Sequence, residues 1–232
     1  MRVASVTRPG SCLCGGIRGL SYTPLVRCDC GPGAVPPAAY TPAMGTGGAN
    51  AASHRPRRVP TGELTAVEVR AIRALLRAAF PPDDEGFTED DWAHATGGMH
   101  FVLELDGAVV AHASVLEREL HAGRRPLRTG YVEAVATDPD RQGQGLGTAV
   151  MRDVTAAIRD DFELGALGTD KYHFYQRLGW LTWEGPTSVR TAQGTRRTPD
   201  EDGFVLVLPT PASPPLDLGA ELSCDWRPGN VW

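Results

Sequence analysis

The chain has 232 residues, 41% of them hydrophobic and 22% charged, with a net charge of −5, proportions ordinary for a soluble globular protein. The negative balance argues against a nucleic-acid partner held on a basic face. The longest apolar runs fall short of the roughly 18 residues a membrane span needs, and "MRVASVTRPGSCLCGG" has no apolar h-region, so a cytoplasmic protein with no membrane partner is expected.

Residues 1–58 hold many Gly and Pro, few large apolar residues and no sustained helical or strand period. Such a segment cannot bury enough surface to offset its chain entropy and reads as a disordered Gly/Pro-rich extension. Cys12 and Cys14, and Cys28 and Cys30, lie in it as "CLC" and "CDC". Structural zinc sites leave two or more residues between paired ligands, so these read as unpaired thiols and no metal site is expected. Residues 59–232 read as the folded domain.

The folded part opens on "TGELTAVEVRAIRALLRAAF", where Leu64, Val67, Ile72, Leu75, Leu76 and Phe80 fall near helical spacing. Thr61 or Thr65 supplies the cap, and Pro81-Pro82 stops the helix. "PPDDEGFTEDDW" (81–92) and "TPDEDG" (198–203) are acidic clusters; taken alone they are solvated turns, taken together a surface that attracts a cation. "MHFVLELDGAVVAHASVLERELHAG" reads as two strands joined at Asp106-Gly107, a hairpin signal. "TGYVEAVATD" is a third strand, nearly all apolar and therefore central. A helix at 148–160, a strand "FELGALG", the segment "TDKYHFYQRLGW" and late strands "FVLVLP" and "ELSCDW" follow. This order predicts one α/β (α+β) domain with a central mixed sheet flanked by helices. His100 and His112 read as packed or hydrogen-bonded core, and Cys224 as a small packed residue.

Between the third strand and the next helix stand Gly143, Gly145 and Gly147. Glycines there leave backbone amides bare, and with the helix dipole they form an anion site. The spacing lacks the dinucleotide fingerprint and the Lys-Ser/Thr of a P-loop. It does read Q-x-x-G-x-G over Gln142, Gly143, Gln144, Gly145, Leu146 and Gly147, which resembles the pyrophosphate loop of the GNAT acyl-CoA-dependent N-acetyltransferases. "FYQRLGW" at 174–180 resembles a late segment of the same superfamily. The blocks "RAAF", "FTEDDW", "GGMH", "AHASV", "GYVEAVA", "LGAL", "GPTSV", "RTPDEDG", "LVLP" and "ELSCDWRPGNVW" resemble the aminoglycoside 2′-N-acetyltransferases in particular, over about residues 59–232.

The resemblance implies a GNAT domain that moves an acetyl group from acetyl-CoA to the 2′-amine of an aminoglycoside by direct transfer in a ternary complex, with antibiotic resistance as the result. It implies that Val135, Ala136 and Thr137 bond the pantetheine arm while residues 142–147 hold the diphosphate. Glu133, a costly charge in an apolar strand, becomes the residue that receives the amine proton, with Ala134 beside it. Tyr175 becomes the acid for the leaving thiolate, with Tyr172 ranked below it. A polycationic acceptor calls for carboxylates, and the implied set is Glu85, Gly86, Asp91, Glu201 with its neighbours Asp200 and Asp202, Gly168, Asn230 and the terminal carboxylate of Trp232. The chain departs from the family at Asn230, where Asp is usual, and at Gly168-Thr169, where a Ser run is shortened; both bear on substrate range. The rivals are an N-acetyltransferase for another small-molecule or protein amine, and a cofactor-binding regulator without turnover. A homodimer is among the assemblies left open.

Overall fold

A computed structural model describes residues 55–80 and 86–232. The four N-terminal cysteines and Glu85 therefore lie outside the described residues. Strand β1 (Arg57–Pro60) leads into helix α1 (Ala66–Ala79). Helix α2 (Glu89–Ala95) is followed by β2 (Met99–Leu105), β3 (Ala108–Ala122) and β4 (Arg125–Thr137). Next come helix α3 (Leu146–Asp161), β5 (Leu164–Gly168), the short helix α4 (Tyr172–Gln176) and β6 (Leu181–Thr182). The hairpin β7 (Thr187–Thr191) and β8 (Gly194–Arg197) precedes β9 (Val205–Pro209) and β10 (Leu222–Asp225).

The ten strands of the described residues join one sheet in the order β6-β9-β5-β4-β3-β10-β7-β8, with β2 and then β1 branching beside β3. β4 runs parallel to β5 and β10 parallel to β7, and the other pairings are antiparallel. The sheet is therefore mixed, as expected. One core cluster gathers α3 residues such as Val150, Val154 and Ile158 with β4, β5 and β9; a second gathers Ile72, Leu75 and Leu76 of α1 with Ala134 and Ala136 of β4.

Local chemistry accounts for these elements. Thr65 and Glu68 form a reciprocal capping box at α1, with the Thr65 amide donating to Glu68 at 2.7 Å. Asp106 and Gly107 take φ of 53° and 77°, the left-handed pair that a two-residue hairpin requires.

Three features differ from the sequence expectation. Val67 is 66% exposed, so the buried stripe of α1 starts later, at Ile72. The acidic segment contains a helix, α2, because Thr88 and Asp91 make a second capping box. β1 starts at Arg57, two residues before the expected boundary, and Arg58 makes a two-pronged ion pair with Asp153 of α3, both contacts at 2.9 Å. Among the described residues no helix is long and apolar enough to cross a membrane.

Candidate active site

β4 and β5 pair only over Thr129–Tyr131 and Leu164–Ala166. Beyond Tyr131 the two strands part, so the β5-facing edge of residues 132–137 has no strand partner among the described residues. A backbone edge of this kind takes an extended ligand as an added strand. The opening is a cleft of about 720 Å³ lined by Val135, Ala136, Thr137 and the 142–147 loop, with Phe174, Tyr175, Lys171 and Arg177 across from it.

The loop delivers the N-terminus of α3 into this cleft. Gly143 and Gly145 have φ of 76° and 81°, and open space lies where a Cβ would stand. Gly145 is the N-cap, no side chain caps the helix, and no acidic residue sits in its first turn. The 16-residue helix thus presents bare amides and an uncompensated positive end. Gly147 is glycine for closeness, since a Cβ there would come within 2.8 Å of Thr137 Oγ1. The donor set fits a diphosphate, and the unpaired strand edge fits the amide-rich pantetheine arm of CoA.

Tyr175 faces the same cleft from α4, fully buried, and its hydroxyl has no hydrogen-bond partner among the described residues. Burial, aided by Asp170, raises the phenol's pKa, so the group stays protonated. An orphaned buried donor is costly and marks a place where a ligand atom belongs. Tyr172 is only half-buried. A third tyrosine, Tyr131 on β4, also has a buried hydroxyl without a partner; its position in an apolar run gave no sequence signal.

Glu133 is 3% exposed, and its Oε1 accepts from Arg227 Nη2 at 2.7 Å. Sequence reasoning missed Arg227, because its partner lies 94 positions away and no periodicity reports such a pair. Arg227 belongs to a C-terminal tail that ties several candidate residues together. Its Nε–H donates to the Asn230 carbonyl at 2.9 Å, and the Pro228 carbonyl meets His94 of α2 at 2.8 Å. Trp232 is fully buried, with its indole N–H on Thr198 Oγ1 at 3.0 Å. A Cβ at Gly168 would stand 3.8 Å from the Trp232 carbonyl carbon.

The tail therefore brings Glu133, Gly168, Asn230 and Trp232 into one region, and it touches α2 at His94 and, at Thr198, the residue before the 3-10 turn Pro199–Glu201. Asp91 spends Oδ2 on its capping box, at 2.9 Å from the Thr88 amide. Glu201 is half-buried and unprotonated less readily than usual, since burial raises its pKa. Asp200 is exposed and Gly86 half-buried. Asp202, the neighbour of these two carboxylates and part of the implied set, is instead used inside the fold: Arg197 and then the Thr187 amide hold its pKa down to about 2. Gln144 is exposed and does not line the cleft. His100 and His112 are buried and hydrogen-bonded, as expected, and so is Cys224, whose Sγ lies 3.4 Å from the Val231 carbonyl. Thr148, Lys171 and Arg177 line the cleft without having been singled out from the sequence.

Residues 69–180 match the model of the acetyltransferase (GNAT) family. An aminoglycoside 2′-N-acetyltransferase from Mycolicibacterium fortuitum is 44% identical over 183 residues, which cover 77% of this chain and 92% of that protein. Among solved structures, a GNAT family N-acetyltransferase (YhbS) from Escherichia coli in complex with CoA aligns with a TM-score of 0.51 at 14% identity, over 73% of this chain and 89% of its own. That likeness is one of fold. The forked β4–β5 edge and the bare glycine N-terminus agree with it, and the chain belongs to the aminoglycoside 2′-N-acetyltransferase family of GNAT acetyltransferases.

Proposed function

We propose that the protein transfers the acetyl group of acetyl-CoA to the 2′-amino group of aminoglycosides by direct transfer in a ternary complex, and so confers resistance to them. The observation that carries this reading is the fork: an unpaired strand edge runs onto an uncapped helix N-terminus, with a buried, unpartnered phenol beside it. When bound, acetyl-CoA supplies the thioester. The backbone of Val135, Ala136 and Thr137 holds its pantetheine arm, and the amides from Gln142 to Gly147 hold its diphosphate.

As the amine nitrogen forms its bond to the acetyl carbon and the carbon–sulfur bond breaks, two protons must move. Glu133 takes the amine proton, through water, on Oε2, since Oε1 is held by Arg227. Tyr175 gives its phenolic proton to the departing sulfur. Asp91, Asp200, Glu201 and the chain end at Trp232, with Asn230 and the backbone at Gly86 and Gly168, surround the cationic acceptor. Residues 57–232, from the start of β1, carry the whole acetyltransferase domain in this reading, which needs neither nucleic acid nor membrane and places the protein in the cytoplasm. Gel filtration against the 24.8 kDa chain mass decides between monomer and homodimer.

The test is thiol release from acetyl-CoA with paired aminoglycosides carrying an amine or a hydroxyl at the 2′ position. Release with the amine alone is expected. Equal release with both moves the reaction to another amine, and no release with either removes the aminoglycoside as acceptor.

A further inference from the structure

β4 contains a defect beside its carboxylate. Ser114 of β3 pairs with Glu133 while His112 pairs with Ala136, so Ala113 faces two residues, Ala134 and Val135. Such a bulge places one extra residue in the strand and turns it. Its consequence here is that Glu133 and Ala136, three apart, stand on the same face, where regular alternation would oppose them. Ala134 absorbs the defect with φ of 50°, a left-handed conformation that is strained in a residue with a Cβ. Something must hold it there.

A line of buried polar groups runs from the bulge across three strands. His112 Nδ1 lies 2.8 Å from the Ala134 carbonyl. A carbonyl only accepts, so Nδ1 carries the proton. His112 Nε2 then accepts from His100 Nδ1 at 2.9 Å, and the Thr61 hydroxyl, with one hydrogen for two acceptors, lies 2.9 Å from His100 Nε2 and 3.1 Å from the Gly98 carbonyl. The Gly97 amide closes the line by donating to Thr61 Oγ1 at 2.9 Å. Both rings are fully buried. The far end, Gly97, follows the last turn of α2, so the line connects the helix of Asp91 to the strand of Glu133.

We propose that His112, backed by His100 and Thr61, is a positioning residue that clamps the Ala134 peptide in its left-handed bulge and thereby fixes how Glu133 and Val135 face the reaction. This rests on the acetyl-transfer reading for its catalytic consequence, while the clamp itself is a property of the backbone. A hydrogen bond to a buried carbonyl whose loss leaves it unsatisfied accounts for about tenfold or more in an equilibrium, so a comparable loss of kcat is expected.

The experiment compares His112→Phe, His112→Asn and Thr61→Val with the full wild-type chain, alone and in an Ala134→Gly background. His112→Phe keeps the ring and removes the donor; kcat falls about tenfold or more while the dissociation constant for acetyl-CoA stays within about twofold. His112→Asn keeps an N–H near the Nδ1 position and recovers most of kcat. Thr61→Val, remote from the reacting atoms, lowers kcat in the same direction by less. In Ala134→Gly, glycine enters the left-handed region without strain, so His112→Phe costs less there than in wild type. Equal losses in the two backgrounds, or an unchanged kcat in folded His112→Phe, overturn the clamp. The backbone is read separately from the ¹³Cα and ¹³Cβ shifts of Ala134, which move out of the left-handed range in His112→Phe. Unmoved shifts overturn the clamp even if wild-type turnover is absent, and absent wild-type turnover overturns only the acetyl-transfer reading.

Discussion

Tyr175 and Glu133 are asked to move protons, but they are embedded differently, and their variants separate accordingly. Tyr175→Phe removes one oxygen that bonds nothing among the described residues, so folding stability is kept or slightly raised. Turnover falls within the roughly 10²–10⁴ range of general acid–base help, with little change in acetyl-CoA binding. Glu133→Gln instead strands Arg227, whose side chain is 17% exposed, and stranding a buried charge costs about 3 kcal/mol or more. Glu133→Gln/Arg227→Met recovers that stability and stays inactive, which thermal melts and steady-state rates check together. An active double variant removes Glu133 as the base. The histidine pair adds a pH dependence of folding. Burial lowers His100 to about 4 and His112 to about 3 from an unfolded value of 6.5. The unfolded chain therefore binds more protons below pH 6.5, and stability is lost as pH falls from there toward the folded values. Between pH 7.5 and 5.5 the two account for about 3 kcal/mol. Urea unfolding at the two pH values measures it, and His112→Phe should remove about half of the drop.

At the scale of elements, the anion site tests most cleanly at Gly145. Its φ of 81° is one that Asp and Asn tolerate, and the space beside it is open, so both variants fold. Gly145→Asp puts a carboxylate where the diphosphate belongs and raises the acetyl-CoA KM by about tenfold or more at low salt, while Gly145→Asn raises it less. Equal values for the two exclude electrostatics at this helix end. The elements themselves were largely legible. The Asp106-Gly107 hairpin, the capped α1, the central β4 and the glycine entry to α3 each announce themselves through neighbours in sequence. α2 was hidden because its acidic residues read as solvated turns, although Thr88 and Asp91 hold the capping spacing. The β7–β8 hairpin escaped because β7 is held by β10, 30 and more residues later, and no local pattern encodes that pairing. The bulge at Ala134 was equally invisible, since nothing in "GYVEAVA" distinguishes a regular strand from a bulged one.

For the whole molecule, the boundary and the chain end both carry more structure than their composition implies. A chain starting at Met44 keeps β1 and the Arg58–Asp153 pair, whereas one starting at Val59 loses both. The shorter chain should melt lower by about 2–4 °C for each kcal/mol lost, with about 1 kcal/mol from the ion pair and more from the strand. Equal melting temperatures leave β1 without a role in stability. At the other end, Trp232 sits in the main core, so deleting it removes packing worth about 3–5 kcal/mol. The aromatic ending was legible as an anchor, and the bond that fixes it, to Thr198, was not. The central claim is that the fork delivers an acetyl group to one defined amine of a polycationic acceptor. Two-dimensional NMR of the product formed from acetyl-CoA and an aminoglycoside with several free amines tests it most directly. The account predicts a single new acetamide, on the 2′ nitrogen; an acetyl group on any other amine contradicts it.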